Sequence, residues 1–282
     1  MAVSDPIVSA AWLADHLDDP QVVVIDASWH LPAAKRDARA EYAAAHIPGA
    51  VFFDIDEVCD HSTDLPHMLA PPADFAVAAR RLGVWQSSFV VVYDSLGLFS
   101  AARVWWNFRV MGYDAVSVLD GGLPRWIADG RPLETGWRTP PHGDFKARAL
   151  PALVADKDVM RRAVEAGGSQ IVDARAADRF SGHAPEPREG LARGHMPGAR
   201  NVPWSELVDG GALRGPEALK EAFVAAGVDL AQPIVTTCGS GVSAALLALA
   251  LTRIGRADVA VYDGSWAEWG ALADAPISTG PG

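Results

Sequence analysis

The sequence predicts two tandem α/β domains, each a mostly parallel sheet flanked by helices. Three observations predict this fold class: a length of 282 residues, an internal repeat, and short β-branched segments alternating with helical ones. That length is long for a single domain and suits two domains of about 140 residues each. Alternation of strands and helices is typical of βαβ units, whose crossovers place helices on both faces of a parallel sheet.

The internal repeat relates the two halves of the chain segment by segment. Asp26 and Asp173 each end a hydrophobic run, and His46 and His195 each begin a similar turn segment. The matching segments are 22–27 with 170–175, 45–50 with 194–199, 90–94 with 233–238, and 119–122 with 262–265. Because chance similarity would not keep this order at offsets of 143 to 149 residues, we expect both halves to share one fold.

Strands are predicted from short runs rich in Val and Ile, and helices from the longer segments between them. The predicted strands are 22–26, 90–93, 117–119, 171–173, 234–237 and 259–262. The predicted helices are 74–82, 101–111, 216–226 and 242–254. A stretch rich in Pro and Gly, 131–149, has the composition of an extended connector. We therefore expect domains at 1–135 and 151–282, joined by a linker at 136–150.

Composition excludes several classes of function. The net charge of −11 argues against nucleic acid as a partner, because binding phosphates requires clustered Lys and Arg. The two cysteines suit a reducing compartment, and we expect neither a leader peptide nor a membrane span. A cytoplasmic protein is thus predicted. No metal-ligand spacing and no phosphate-binding glycine loop is found, so we expect neither a metal nor a cofactor.

Cys238 is the leading candidate for a nucleophile. It follows the predicted strand 234–237 and precedes a helix that begins near Val242. In parallel sheets, ligands bind where a strand's carboxyl end leads into the next helix. The glycines at 239 and 241 let backbone N–H groups converge on the sulfur, and the helix N-terminus adds positive potential. Both effects favour a reactive thiolate, although an ordinary buried cysteine is the alternative interpretation.

The equivalent loop in the first half supports a functional cysteine. Residues 94–100 contain no cysteine and are one residue longer than their counterpart. A module duplicated for binding alone would keep both sites, so we expect the first domain to be catalytically inert. In the second half, Ser240 offers a hydroxyl to the sulfur or to a substrate.

These motifs together resemble the tandem-domain rhodanese-like sulfurtransferases, over about residues 8–277. The resemblance rests on 46–50 and 194–199, which are similar to the signature near the start of each domain, and on 262–269, which is similar to the closing signature. In that family the catalytic cysteine lies in the second domain. The resemblance therefore implies the same asymmetry as the repeat.

The cysteine loop distinguishes two subfamilies. Its sequence, Cys-Gly-Ser-Gly-Val-Ser, resembles the Cys-Gly-Ser-Gly-Val-Thr of 3-mercaptopyruvate sulfurtransferases and departs from it only at Ser243, which keeps a hydroxyl. Thiosulfate enzymes carry Cys-Arg-Lys-Gly-Val-Thr, whose two cations suit a dianionic donor. The resemblance implies that Cys238 takes sulfur from 3-mercaptopyruvate, releases pyruvate, and passes the sulfur to thioredoxin, a small thiol or cyanide. The loop residues expected to contact the donor are Gly239, Gly241, Val242 and Ser243.

Two arginines are implied to bind the donor. Arg179 lies in Asp-Arg-Phe-Ser-Gly and Arg188 in Pro-Glu-Pro-Arg-Glu-Gly, and both stretches resemble the mercaptopyruvate enzymes. In those enzymes the two arginines hold the carboxylate and carbonyl of the substrate, for which a planar guanidinium is suited. Without the resemblance they would equally be solvated loop residues.

From the first domain, the resemblance implies that Asp56 joins Cys238 and Ser240 in a triad and that His67 lies near the site. Asp56 could equally cap a following helix, and His67 could be an ordinary loop residue. The segment 58–66 before His67 departs from the family pattern.

The remaining candidates are interpreted as structural. His46 and His195 are expected to make structural hydrogen bonds, and the tryptophans to pack in cores. The carboxylates Asp26, Asp120, Asp173 and Asp263 are expected in turns or caps. Cys59 is expected to be a bystander, and the protein to be a monomer.

Three functions are alternatives to transfer of sulfur from 3-mercaptopyruvate. A thiosulfate sulfurtransferase on the same fold and a non-enzymatic sulfur-relay protein both stay open. A cysteine phosphatase is disfavoured because Thr237 precedes the cysteine and Ala244 occupies the position where an arginine would cradle phosphate.

Overall fold

Two five-stranded sheets of the same topology organise the chain in a computed structural model that describes residues 5–281. Residues 1–4 and 282, which the predicted domain boundaries include, lie outside the described residues. The chain divides into two compact units. The first comprises Met1–His61, Leu69–Ala149 and Gly210–Leu213, and the second comprises Ser62–Met68, Leu150–Asp209 and Arg214–Gly282.

The first unit contains a parallel sheet in the order β1-β5-β4-β2-β3. Its strands are β1 (Ile7–Val8), β2 (Val22–Asp26), β3 (Val51–Phe52), β4 (Phe89–Tyr93) and β5 (Val116–Leu119). Its helices are α1 (Ala10–Asp15), α2 (Ala38–Ala44), α3 (Pro72–Arg81), α4 (Ala101–Val110) and α5 (Gly122–Ala128). The central strand β4 is buried at all its residues, which explains its uninterrupted hydrophobic sequence.

The second unit repeats this arrangement in the order β6-β12-β11-β7-β8, again with parallel pairs. Its strands are β6 (Val154–Ala155), β7 (Gln170–Asp173), β8 (Arg200–Asn201), β11 (Ile234–Thr237) and β12 (Ala260–Tyr262), and the chain between β8 and β11 holds two short strands, β9 (Val208–Asp209) and β10 (Ala212–Leu213). Its helices are α6 (Lys157–Ala166), α7 (Ala177–Phe180), α8 (Pro216–Ala225), α9 (Val242–Arg253) and α10 (Ser265–Trp269).

The predicted fold class is confirmed, and each predicted helix and strand is present. The ends differ by up to two residues, and the largest difference has a clear cause. Helix α3 begins at Pro72 rather than at residue 74, because proline's fixed φ suits the first position of a helix. The two-residue strands β1, β3, β6 and β8 were not predicted, since so short a segment carries no periodicity.

Packing explains why the longest apolar segment forms α9. Its first ten residues, 242–251, are all buried, so this helix is apolar on every side rather than amphipathic.

Both cores also contain large aromatic side chains, including Trp126 in the first unit and Trp266 and Trp269 in the second. The prediction that the tryptophans pack in cores is confirmed for Trp105, Trp106, Trp266 and Trp269. It is wrong for Trp85 and Trp137, which are exposed. No helix among residues 5–281 has the length and apolar character needed to cross a bilayer.

The two units differ in the partner of a buried carboxyl group that stands at the end of equivalent strands. Asp173 at the end of β7 is paired with Arg175, whose Nη2 lies 2.7 Å from Asp173 Oδ2. In the first unit Ser28 stands where Arg175 does, and Asp26 accepts only neutral donors such as the Ser28 N–H at 2.9 Å. Burial raises the pKa of Asp26 to about 6 despite these hydrogen bonds.

Asp26 should therefore make stability fall as pH rises. Between pH 4 and pH 6 the folded chain keeps a proton on Asp26 that the unfolded chain has released, so each rise in pH favours unfolding. The Asp26→Asn variant should lack this loss. The difference in unfolding free energy between the variant and wild type should therefore grow by up to about 3 kcal/mol, in favour of the variant, from pH 4 to pH 7. Urea denaturation at both pH values measures it, with exposed Asp18→Asn as the control. A difference that stays constant with pH contradicts the assignment.

Candidate active site

Cys238 lies where the central strand β11 leads into α9, and its side chain is buried, with 2% exposed. The start of α10 fixes this loop from the side. The Cys238 carbonyl accepts the Trp266 N–H and the Gly239 carbonyl accepts the Ala267 N–H, both at 2.9 Å. The strand end and a second helix therefore hold the cysteine backbone from two directions.

Ser265 is the hydroxyl that contacts the cysteine in the described structure. Its Oγ accepts the Cys238 N–H at 3.2 Å, donates to the Tyr262 carbonyl at 2.8 Å, and lies 4.0 Å from Cys238 Sγ. Ser265 has a φ of +50°, a left-handed conformation that costs a non-glycine residue about 1 kcal/mol or more. Its counterpart in the repeat is Gly122, with a φ of +51°. At this left-handed position the first unit therefore has glycine, and the unit that contains Cys238 has serine.

Sequence reasoning missed Ser265, although the repeat carried a signal for it. The segments 119–122 and 262–265 match, and they differ at their last residue by glycine against serine. A hydroxyl added at a position where its partner domain keeps glycine indicates a use for that hydroxyl.

In the first unit, the loop after β4 is equivalent to the cysteine loop, and its backbone N–H groups bind a carboxyl group. Asp94 occupies the position of Cys238, and its carboxylate accepts N–H groups of Leu96, Phe99 and Ala101 at 2.7 to 2.9 Å. Burial raises the pKa of Asp94, and these N–H groups partly offset that effect. In the first unit a carboxyl group thus fills the loop, whereas the equivalent position in the second unit holds a thiol.

Two glycines shape the cysteine loop in different ways. Gly241 has a φ of +79°, a conformation that glycine adopts without strain, directly before α9 begins. At Gly239 the requirement is space, since a Cβ there would lie 3.1 Å from Arg179 Nη2. The guanidinium of Arg179 therefore lies beside the residue that follows the cysteine.

A chain of alternating charges leads to Arg179 from the interior. Arg175, with a fully buried side chain, contacts Asp173 and, through Nη1 at 2.7 Å, Glu186 Oε1. Glu186 Oε2 in turn accepts Arg179 Nη2 at 2.5 Å. Arg175 also donates to the Gly194 carbonyl at 2.8 Å, and its guanidinium lies 4.2 Å from the Trp266 ring centroid. Sequence reasoning missed Arg175 and Glu186, because nothing in the local sequence shows that these two charged side chains are buried against each other.

The other predicted site residues of the second unit are buried or half-buried. Ser240 and Ser243 are buried, at 7% and 8% exposed, and Val242 begins α9. Arg188 is half-buried and follows Glu186 by two residues. His67 is buried, has a φ of +60°, and belongs to the same compact unit as Cys238.

Asp56 belongs to the first unit and does not cap a helix. Its exposed carboxylate accepts the Trp29 indole N–H at 2.8 Å. The next turn is closed by Asp54, whose Oδ1 accepts the N–H groups of Asp56 and Glu57. The alternative of helix capping by Asp56 is therefore wrong, because no helix follows until α3.

Cys59 differs from Cys238 in position and electrostatics. It is half-buried, and its thiol donates to the Asp56 carbonyl at 3.1 Å. Burial, together with the carboxylates of Asp56, Asp60 and Asp54, raises the pKa of Cys59. A thiol of this kind is a weak nucleophile at neutral pH.

The residues interpreted as structural have structural partners. Nδ1 of His46 lies 2.8 Å from the Tyr42 carbonyl oxygen, and Nδ1 of His195 lies 2.9 Å from that of Phe180, which confirms the prediction for both histidines. Asp120 accepts the Leu213 N–H at 2.9 Å. Across residues 5–281, no group of three or more His, Cys, Asp or Glu side chains is arranged to hold a metal ion.

Comparison with known proteins decides the family. A model of the rhodanese-like domain matches residues 9–129 and again residues 156–272. The chain belongs to the rhodanese family. Both matches agree with the internal repeat, and the predicted family and the paired α/β domains are confirmed.

Relatives of this rhodanese-family chain are sulfurtransferases. The 3-mercaptopyruvate sulfurtransferase of Escherichia coli (strain K12) is 48% identical over 272 residues, which cover 96% of each chain. Thiosulfate/3-mercaptopyruvate sulfurtransferase 1, mitochondrial, of Arabidopsis thaliana is 41% identical over 301 residues, covering 99% of this chain and 79% of that one. The crystal structure of SseA from Escherichia coli, described with the rhodanese fold and mechanism of 3-mercaptopyruvate sulfotransferases, is similar with a TM-score of 0.86 and 45% identity, covering 94% of this chain and 100% of that chain.

The backbone of Ser265 predicts an unusual order of stability among variants of this rhodanese-family chain. Ser265→Ala and Ser265→Gly both lose the hydroxyl, but only glycine relieves the left-handed backbone. We expect Ser265→Gly to unfold with a free energy about 1 kcal/mol higher than Ser265→Ala. Urea denaturation measures both.

Ser205, in the helical turn Trp204–Glu206, provides the matched control. There alanine should be more stable than glycine, because helical residues favour alanine. The same order at both positions would contradict the strain assigned to Ser265.

Proposed function

We propose that this chain is a sulfurtransferase that accepts the sulfur of 3-mercaptopyruvate on Cys238 and passes it to a thiol or to cyanide, releasing pyruvate. The observation that supports this most directly is the loop at Cys238. The cysteine is buried at the end of β11, and none of the five residues that follow it has a cationic side chain. An uncharged loop suits a monoanionic donor whose carboxylate is bound elsewhere. The names of the Escherichia coli and Arabidopsis relatives support this donor.

The first half-reaction forms a persulfide. The Cys238 thiolate attacks the thiol sulfur of 3-mercaptopyruvate, so that a sulfur–sulfur bond forms and the sulfur–carbon bond breaks. The electron pair of the broken bond stays on carbon as the enolate of pyruvate, which then takes up a proton. In the second half-reaction an acceptor attacks the outer sulfur and restores the thiolate.

Arg179 and Arg188 hold the donor in this scheme. Their guanidinium groups bind the carboxylate and keto oxygens and stabilise the negative charge that moves onto the keto oxygen as the enolate forms. The loop residues Gly239, Gly241, Val242 and Ser243 contact the reacting sulfur. The support for Arg179 is the position of its Nη2 beside Gly239.

Ser240, Asp56 and His67 are proposed to manage the proton of the donor thiol. Ser240 is two residues from the nucleophile and buried, and His67 is a buried residue of the same compact unit. The first domain is proposed as residues 1–135, catalytically inert, with a linker at 136–150 and the catalytic domain at 151–282. We further propose a cytoplasmic monomer that uses thioredoxin or a low-molecular-weight thiol as acceptor.

Thiosulfate is the second candidate donor. The name of the Arabidopsis relative includes it, so a secondary activity with thiosulfate is proposed here as well. A sulfur-relay protein without turnover of a free donor is the remaining alternative, and turnover of free mercaptopyruvate by the purified chain would exclude it.

Intact mass after incubation with each donor tests the nucleophile and the donor together. We expect wild type to gain the mass of one sulfur atom with 3-mercaptopyruvate, and Cys238→Ser to gain none, because serine forms no persulfide. Cys59→Ser is the matched control and should gain sulfur like wild type. A sulfur adduct on Cys238→Ser, or none on wild type, would contradict the proposal.

The donor-binding arginines are tested by steady-state kinetics with 3-mercaptopyruvate. Arg179→Gln and Arg188→Gln should each lower kcat/KM about 10- to 100-fold, since each removes a charge-assisted hydrogen bond to the donor. Arg193→Gln, an exposed arginine further along the same loop region, is the control and should change little. Equal effects at all three positions would count against a binding role.

A further inference from the structure

Glu186 is the buried link between Arg175 in the interior of the second unit and Arg179 beside the cysteine loop. Its side chain is 2% exposed, and both carboxylate oxygens are engaged, Oε1 by Arg175 at 2.7 Å and Oε2 by Arg179 at 2.5 Å. A carboxylate buried this far is stable only while cations compensate it. The geometry meets that condition from both sides.

Arg175 is the fixed end of this arrangement. Its guanidinium is held by two contacts to Asp173 Oδ2, from Nη2 at 2.7 Å and from Nε at 3.0 Å, and by the Gly194 carbonyl. Burial works against the charge of Arg175, but Asp173 and Glu186 outweigh it and raise its pKa. Arg175 therefore stays charged and immobile, and it orients Glu186 so that Oε2 points at Arg179.

Arg179 is the free end. Its side chain is 23% exposed, and Nη2 lies beside Gly239, next to the cysteine. Among the described residues, Arg179 Nε has no hydrogen-bond partner, and Nη2 is the atom that Glu186 holds. Nη2 is thus committed to Glu186 and Nε is buried, whereas Nη1 makes no hydrogen bond within the described residues and is the nitrogen that can donate to an anion.

The charges of the four side chains cancel. Asp173 and Glu186 contribute two negative charges, and Arg175 and Arg179 contribute two positive ones. The loop after the cysteine adds no cation. An anionic donor that approaches Arg179 therefore meets a guanidinium whose charge is already compensated, which penalises each additional negative charge on the donor.

We propose that Glu186 is a specificity-determining residue: it positions Arg179 for a carboxylate and lowers the positive potential, so that monoanionic 3-mercaptopyruvate is favoured over dianionic thiosulfate. This inference rests on the proposed function, because it takes Arg179 as a donor-binding residue. Glu186 acts on the donor through Arg179 and is a positioning residue rather than a catalytic one.

Coulomb's law predicts how a neutral substitution would change the preference. Removing the charge of Glu186 relieves one unit of repulsion for a monoanion and two for a dianion. The second negative charge of the dianion accounts for the difference between the two donors. At the separations of adjacent ion pairs near a protein surface, its repulsion corresponds to about a tenfold change in the ratio of kcat/KM for thiosulfate to kcat/KM for 3-mercaptopyruvate. Loss of positioning lowers the activity with both donors and leaves that ratio unaffected.

Glu186→Gln tests the charge and Glu186→Asp tests the reach. Both are assayed in the full chain with cyanide as acceptor, with 3-mercaptopyruvate and thiosulfate as donors, at low ionic strength. Glu186→Gln should raise the thiosulfate to 3-mercaptopyruvate ratio of kcat/KM about tenfold, because the charge is gone. Glu186→Asp keeps the charge but is too short to bridge both arginines, so both donors should lose activity without a change in ratio.

Glu189→Gln is the matched control, since it removes an exposed carboxylate from the same loop and should leave the ratio unchanged. Equal losses with both donors in Glu186→Gln would overturn the proposal and leave Glu186 a structural residue. If Glu186→Gln does not fold, a changed ratio in Glu186→Asp overturns it instead. Failure of the proposed function is distinguishable, because wild type would then show no turnover of 3-mercaptopyruvate at all.

Discussion

The hydrogen bonds between the start of α10 and the loop after β11 are the constraint on which the second unit depends. They bind the carbonyls of Cys238 and Gly239 to the N–H groups of Trp266 and Ala267. Because α10 directly follows β12, the strand beside β11, the parallel sheet itself brings this helix to the cysteine. The same register places Ser265 against the Cys238 N–H, so the position of the cysteine follows from the pairing of β11 with β12.

Duplication shows which features belong to the fold and which to the chemistry. The backbone bond from Trp266 to Cys238 has a counterpart from Leu123 to Asp94, at 3.0 Å, so it belongs to the fold. Three side chains differ between equivalent positions: Cys238 replaces Asp94, Ser265 replaces Gly122, and Arg175 replaces Ser28. These differences put a thiol in place of a carboxyl group, add a hydroxyl beside it, and pair a buried carboxylate with an arginine. The left-handed backbone of Ser265 is a strain that Gly122 avoids in the first unit, which is reasonable only where the added hydroxyl returns a benefit.

Much of the fold could be predicted because local signals agreed with the global arrangement. Strands β2 and β11 have their predicted bounds, since both are short runs of mostly β-branched residues, which favour strands. Short edge strands such as β3 and β8 were missed, because their pairing is set by neighbours rather than by their own residues. The 62–68 segment likewise clusters with the second unit, a placement for which its own composition gives no signal.

The sequence by itself determined the duplication and the α/β class, and it singled out Cys238 as the candidate nucleophile. Periodicity, glycine placement and order along the chain are local properties that need no coordinates to be detected. Only the tertiary structure decided which side chain contacts Cys238 and which charges lead to Arg179 beside its loop. Ser265, Arg175 and Glu186 lie 27 residues after, 63 residues before and 52 residues before the cysteine, and no local pattern marks them as partners. A side-chain hydrogen bond or ion pair depends on distance and burial in space, and both arise only when the strands of the sheet are assembled.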